Sequence, residues 1–280
     1  MRWSPGPGPK RSNSHVNRPL NRVFITGASS GLGAALATHY ARAGATLGLL
    51  ARRGEALDSL VAALPNPQLH RTYAVDVRDH AALQAAAGAF LSYAGGIDIV
   101  IANAGISYGT LTEHGEDLQV FSDIVATNVT ATVATFAPFI EAMRGQRSAG
   151  RLVGIGSVAG IRGLPGAGAY SASKAAVMTY CESLRIEMRR HGIRVVTIAP
   201  GYVDTPMTRH NPYPMPFLLA PDVFAVRAAR AIEQGVSYRV IPWQMGIVAR
   251  LLRMLPDALY DFAFARAPHK PRKQTSNPLK

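Results

Sequence analysis

The chain has a single cysteine, Cys181, in 280 residues. That excludes an intrachain disulfide and fits a reducing compartment, where such a residue is a small core side chain rather than a nucleophile. The eight histidines make no H-x-x-x-H pair or other compact ligand spacing, so no metal site is expected. The longest uncharged runs, Val23 to Ala41 and Ile124 to Ile140, are broken by Gly, Ser, Thr, Asn or Pro. They fall short of the roughly 20 apolar residues that a membrane helix needs, so no transmembrane span is expected. The opening segment, MRWSPGPGPKRSNSHVNRPLNR, has Pro, Gly, Ser and Asn where a signal peptide would be apolar. Export is not indicated, and a cytoplasmic location is the expectation.

Acids are scarce, and the net charge is +13. Its distribution matters more than its size. Arg2, Lys10, Arg11, Arg18 and Arg22 lie at one end and Arg266, Lys270, Arg272, Lys273 and Lys280 at the other, with no acid in either stretch. Basic tails could attract nucleic acid, but these contain no recognisable reading module, so no nucleic-acid partner is expected. Residues 1–21 read as a disordered basic N-terminal tail and 266–280 as a basic C-terminal tail. The body, 22–265, is rich enough in apolar residues to bury one large core and shows no internal repeat or linker.

Within that body, short β-branched runs alternate with longer helical stretches. The expected strands are 22–26, 46–50, 72–75, 97–102, 151–156, 193–198 and 239–241. The expected helices are 32–43, 54–64, 80–93, 117–144, 171–191 and 221–234. This is the pattern of an α/β fold: a Rossmann-like, doubly wound parallel sheet of about seven strands in a single domain. Gly44 and Gly192 follow two helices, where a left-handed residue ends a helix. Residues 206–221 pack five prolines among Met207, Tyr213, Met215, Phe217, Leu218 and Leu219. That is too irregular for a helix and too apolar for an ordinary loop, so the segment is expected to act as a substrate lid.

Two constellations carry chemistry. Directly after the first strand comes Thr26-Gly27-Ala28-Ser29-Ser30-Gly31-Leu32-Gly33, which opens the first helix. Glycines there let the backbone approach a pyrophosphate and present amides at a helix N-terminus, although glycines also mark ordinary strand-to-helix turns. The second constellation is Tyr170 and Lys174, four apart on a helical pattern and therefore on one face. A nearby ammonium favours phenolate and moves the phenol toward working pH, so Tyr170 could exchange a proton with a substrate oxygen. Ser157, at the end of a strand, could hydrogen-bond that same oxygen. Alone, Y-x-x-x-K is as easily a solvated helix face.

TGASSGLG, ANAG at 102–105, GSVAG at 156–160, YSASK at 170–174 and PGYVDT at 200–205 occur in the order found in the short-chain dehydrogenases/reductases. From Arg22 to Gly235 the chain resembles that family. The resemblance implies a catalytic tetrad of Asn128, Ser157, Tyr170 and Lys174, with Lys174 also on the nicotinamide ribose and Asn128 holding a water in the proton path. For Asn128, a buried structural amide is the competing reading. The resemblance further implies a cofactor site built from Gly27, Ser29, Ser30, Gly31, Leu32, Gly33, Asp76, Val77, Asn103, Ala104, Gly105, Tyr170, Lys174, Pro200, Gly201, Val203 and Thr205. Within it, Asp76 and Val77 meet the adenine and Thr205 the carboxamide. Where NAD-using members carry an acid after the second strand, this chain has Ala51-Arg52-Arg53. A guanidinium there can clamp a 2′-phosphate, so NADP(H) is the expected cofactor, with Arg52 preferred over Arg53 as the clamp.

The implied activity is an NADP(H)-dependent interconversion of a small-molecule carbonyl compound and an alcohol, with Tyr170 as proton donor or acceptor. Reduction is the favoured direction. The alternative is a non-catalytic NADP(H)-sensing or scaffold protein of the same fold. A homodimer or homotetramer is the expected assembly. Finally, Ile247, Leu251, Leu255, Leu259 and Phe262 form an apolar stripe across Pro256 in residues 243–265. One expectation is that the stripe packs over the substrate cleft; the other is that it makes peripheral membrane contact, aided by the basic tail. Both imply an apolar substrate.

Overall fold

The computed structural model describes residues 21–146, 150–209 and 211–272. Of the expected tails, 1–21 and 266–280, residues 1–20 and 273–280 lie outside the described residues. Seven strands form the sheet: β1 Arg22–Thr26, β2 Thr46–Ala51, β3 Arg71–Ala74, β4 Ile99–Ala102, β5 Arg151–Ile155, β6 Arg194–Pro200 and β7 Tyr238–Ile241. They pair in parallel in the order β3-β2-β1-β4-β5-β6-β7. The helices are α1 Gly31–Arg42, α2 Gly54–Ala62, α3 His80–Ala94, α4 Asp117–Val125, α5 Ala131–Gly145, α6 Gly168–Arg189, α7 Pro221–Gln234, α8 Trp243–Met254 and α9 Asp257–Phe264. This is the expected doubly wound single domain.

The inner strands read as nearly unbroken apolar runs because both sheet faces are covered, whereas the edge strands β3 and β7 are partly exposed. In β1, Val23 and Ile25 enter one buried cluster with Leu36 and Tyr40 of α1 and Phe224 of α7. Phe24 points the other way, into a cluster with Phe90 of α3 and Phe136 and Phe139 of α5. There the Phe24 ring meets Phe90 at 5.6 Å and Phe139 at 4.9 Å between centroids. Gly48 in β2 has no side chain because a Cβ would drive into the Phe24 and Phe90 rings. Gly44 and Gly192 take positive φ after α1 and α6, as expected of helix-ending glycines.

The helix expected over 117–144 is not uniform. A single turn of π-helix, Ala126–Thr130, separates α4 from α5 and contains Asn128. Such insertions are concentrated at functional sites. The run Asp117–Gly145 is long and apolar enough to cross a membrane by length and composition. In this fold it buries Val120, Ile124, Phe136, Phe139 and Met143 instead.

The C-terminal segment departs from expectation in two ways. Pro256 divides the segment into α8 and α9. The stripe, however, does not cover the cleft: Ile247, Leu251, Leu259 and Phe262 are exposed, Phe262 to 87%. The positions turned inward are Met245, Ala249 and Tyr260. The reason is Arg162, whose guanidinium lies 3.9 Å from the centre of the Tyr260 ring. It donates to the carbonyls of Leu252 and Leu255 and pairs with Asp257 at 2.9 Å. The Tyr260 hydroxyl donates to the Gly163 carbonyl at 2.6 Å. A charged and aromatic latch thus sets the roll of these helices, and the packing argument for an apolar substrate falls.

The second departure is at 266–272. The chain here is not a free tail over its described part but runs back to the body. Gly109 N donates to the Pro271 carbonyl at 2.9 Å, and Arg272 pairs with Asp117 and Glu116, each at 2.8 Å.

Candidate active site

The sheet order reverses between β1 and β4, so the strand ends diverge there and leave a crevice at their carboxyl ends. A cleft of about 300 Å³ occupies that position. It is lined by Gly27, Ser29, Ser30, Gly31 and Leu32 from the turn after β1, and by Arg52 and Arg53 after β2. Asp76 and Val77 follow β3, and Asn103, Ala104 and Gly105 follow β4. Ser157, Tyr170, Lys174, Pro200, Gly201, Val203 and Thr205 line its wall as well, so that of the expected residues only Gly33 and Asn128 are not on the lining.

The turn after β1 is shaped by its glycines. Gly27 adopts φ +67° and lies where a Cβ would stand 2.7 Å from the Ala104 Cα, so only glycine fits. Gly33 is not a lining residue. It lets α1 approach the turn, since a Cβ would overlap the Gly27 carbonyl. Asn103 ties β4 to this turn by donating from Nδ2 to the carbonyls of Thr26 and Gly27 at 3.0 and 3.2 Å. The bare backbone at the N-terminus of α1 and the space in front of it fit a pyrophosphate.

At the next strand end the two arginines separate. Arg53 Nη2 donates to Ser29 Oγ at 3.1 Å and Ser30 Oγ at 3.0 Å, joining the loops after β1 and β2. Arg52 lines the cleft and helps keep the Asp76 carboxyl below its usual range, although the hydrogen bonds from Arg78 do most of that. Arg78 pairs with Asp76 at 2.8 Å. Thr205 is buried, and its hydroxyl lies 3.3 Å from that of Thr208.

Tyr170 and Lys174 stand one turn apart near the start of α6. Lys174 is only 6% exposed; its Nζ donates to the Ile155 carbonyl at 2.8 Å and sits 5.8 Å from the centre of the Tyr170 ring. Burial lowers its pKa to about 8. Burial also raises the Tyr170 phenol, while the neighbouring Ser157 side chain pulls it back down. Ser157 caps the turn after β5, its Oγ accepting from Ala159 N at 3.1 Å.

Asn128 is 1% exposed, and its side chain is fully employed. Oδ1 accepts from Ile106 N at 2.9 Å, and Nδ2 donates to the Ile106 carbonyl at 3.0 Å and to Ser173 Oγ at 2.9 Å. It clamps the segment that leaves Gly105 to α6. A Cβ built on Gly105 would stand 3.2 Å from Asn128 Oδ1 and 3.6 Å from Lys174 Nζ, so the three residues meet at one point.

The comparisons with known proteins agree with this architecture. The sequence pattern of the short chain dehydrogenases matches residues 21–214. The chain belongs to the short chain dehydrogenase family. An uncharacterized oxidoreductase of Myxococcus xanthus is 38% identical over 255 residues, covering 87% of this chain and 96% of that protein. An uncharacterized oxidoreductase of Mycobacterium tuberculosis is 37% identical over 244 residues, with 85% and 95% covered. Among solved structures, the 3-ketoacyl-(acyl-carrier-protein) reductase of Brucella melitensis complexed with NADH superimposes with a TM-score of 0.72. It is 26% identical over 79% of this chain and 96% of that one. The protein is thus an oxidoreductase of this family.

Several residues beside Tyr170 were missed by sequence reasoning. Ile106, Met207 and Thr208 line the cleft, and Lys270 comes within 6.0 Å of the Tyr170 ring centre. The apolar 206–221 segment pointed to Met207. Nothing in the spacing of Lys270 marked it.

Proposed function

We propose that this oxidoreductase uses NADP(H) to reduce a ketone or aldehyde to an alcohol, with the reverse oxidation open to it. The observation that carries this reading is the convergence of Tyr170, Ser157 and Lys174 beside the Gly27–Gly33 turn at the carboxyl ends of the strands. When bound, the nicotinamide supplies or accepts the hydride. Tyr170 gives the substrate oxygen its proton, and Ser157 donates a hydrogen bond to the same oxygen as negative charge develops. Lys174, held by the Ile155 carbonyl, stabilises the phenolate left behind. Asn128 acts by position: its side-chain bonds fix Ile106 and α6, which favours the structural reading of that amide, and its Oδ1 and Lys174 Nζ both border Gly105.

The absence of an acid after β2 supports NADP(H), because Arg52 and Arg53, both lining the cleft there, are the charges that could hold a 2′-phosphate. Arg53 is the better clamp because Ser29 and Ser30 already hold its guanidinium. A panel of ketones, aldehydes and 3-oxoacyl thioesters, read by absorbance with NADPH and with NADH, tests the reading. Turnover of at least one class with NADPH ahead of NADH is expected. Tight NADPH binding with no turnover across the panel would favour a cofactor-sensing protein instead.

A second reading concerns location. Trp243, Ile247, Leu251, Met254, Leu259 and Phe262 are all exposed on α8 and α9, with Arg250 and Arg253 also exposed nearby. That composition suits the surface of an anionic bilayer. Sedimentation with anionic vesicles, weakened by salt and abolished by Trp243→Ser with Phe262→Ser, is the expected result. No sedimentation at low salt leaves a wholly cytoplasmic protein. Leu118, Phe121, Val133 and Ile186 are exposed on α4, α5 and α6 and support a homo-oligomer, which light scattering would reveal.

A further inference from the structure

On the carbonyl–alcohol reading given above, the substrate class can be narrowed by a residue that the proton chemistry does not use. Lys270, in the C-terminal segment, stands at the edge of the cleft beside the lining residues Met207 and Tyr170. Its Nζ lies 6.0 Å from the centre of the Tyr170 ring, on a par with the 5.8 Å of Lys174. It donates to Ser107 Oγ at 2.9 Å and approaches the Met207 carbonyl at 3.4 Å. Both partners are neutral. Among the described residues no carboxylate lies within 4.0 Å of it, whereas the adjacent Arg272 takes both Asp117 and Glu116.

The position of Lys270 is set by packing as well as by charge. Gly109 and Gly166 lie so close to this segment that a Cβ on the first would overlap the Lys270 carbonyl and one on the second would strike the His269 side chain. Gly109 N holds the Pro271 carbonyl, and Arg272 anchors the end. The segment is thus a strap fixed on both sides of Lys270, with that side chain directed at the mouth of the reaction site. Burial lowers its pKa to about 8, so at neutral pH most molecules carry the charge. A half-buried ammonium with only neutral acceptors is costly, and an anion brought in by the ligand removes the cost.

The geometry points to Lys270 as the residue that recognises a carboxylate on the substrate, selecting carbonyl compounds whose acid group lies a few bonds from the reacting carbon. The separation of Nζ from the Tyr170 ring sets that short spacing, and Ile106 and Met207 provide an apolar wall for the remainder. Lys270 is then a specificity-determining residue and not part of the proton path.

The test uses the full chain with NADPH and two substrate pairs, 2-oxooctanoate and 4-oxooctanoate, each against its methyl ester. The kcat/KM ratio of acid to ester should favour the acid by about tenfold or more for at least one pair, as expected for a desolvated charge-assisted bond. Lys270→Gln should bring that ratio to about one, and Lys270→Arg should keep most of it. An absent preference in the wild type, or a Lys270→Gln variant that slows acid and ester equally, overturns the assignment. A second measurement does not need turnover: calorimetry of the NADPH-loaded protein with octanoate and octanamide. Octanoate should bind more tightly, and Lys270→Gln should erase the difference; equal binding in the wild type overturns the proposal. If neither acids nor esters are reduced but octanoate is still preferred through Lys270, the anion site stands and the carbonyl reading fails.

Discussion

The two ends of the cleft are built by different means. At the cofactor end, the lining comes from the first residues after β1, β2, β3 and β4, and much of it is backbone: Gly27, Gly31 and the amides that open α1. At the other end, Ile106 and Met207 on the wall and Lys270 at its edge come from segments far apart in the chain, and long-range side-chain contacts hold them: Asn128 bonds Ile106, and Lys270 bonds the Met207 carbonyl. Arg272 ties the strap to α4, and Arg162 ties α8 and α9 to the loop after Ser157. One end is set by strand topology, which a family can share across many substrates. The other is set by long-range side-chain contacts, which can change without disturbing the sheet.

The sharpest test of this division lies where the two ends meet. Tyr170→Phe removes only the acidic hydroxyl, so carbonyl reduction should fall by on the order of 10²–10⁴-fold while NADPH binding, followed by fluorescence, is kept. Retained turnover would show that another group donates the proton.

Arg53→Asp replaces attraction by repulsion at the cofactor end and also loses the bonds to Ser29 and Ser30. It should lower the NADPH-to-NADH ratio of kcat/KM by roughly tenfold to a hundredfold. Arg52→Asp should do less. The reverse ranking would restore Arg52, the choice favoured by the sequence, as the phosphate clamp.

Reduction consumes the Tyr170 proton, and Lys174, its pKa lowered to about 8 by burial, loses its charge as pH rises past that point. On the proposed mechanism reduction should therefore slow above that point, because the phenolate it leaves loses its counter-charge, while alcohol oxidation, which releases a proton, gains only as Tyr170 itself ionises. Initial rates in both directions between pH 6 and 10 would show the crossing; parallel profiles would remove Tyr170 from the proton transfer.

The smallest effect belongs to the substrate end. Arg272→Gln frees the strap from Asp117, whose carboxyl its bonds hold below the usual range, and from Glu116, held low first by its own backbone N–H and then by Arg272. A several-fold rise in KM with little change in kcat is expected, because the strap positions Lys270 and touches no reacting atom. An unchanged KM would mean that Gly109 and the packing of His269 hold the strap unaided.

The sequence by itself determined the sheet, because apolar runs of strand length alternating with helical stretches admit few arrangements once both faces must be buried. It also located the Gly27–Gly33 turn and the Tyr170–Lys174 pair, since a backbone turn and a helical spacing are local properties. Tertiary structure alone decided the rest. The π-turn that sets Asn128 against Gly105 and Lys174 has no local signature in an otherwise helical run. The apolar stripe of 243–265 turns outward because Arg162, remote in sequence, latches the opposite face. Residues that compose as a basic tail fold back because Asp117 and Glu116 await Arg272, a pairing between chain segments that only the closed fold brings within reach.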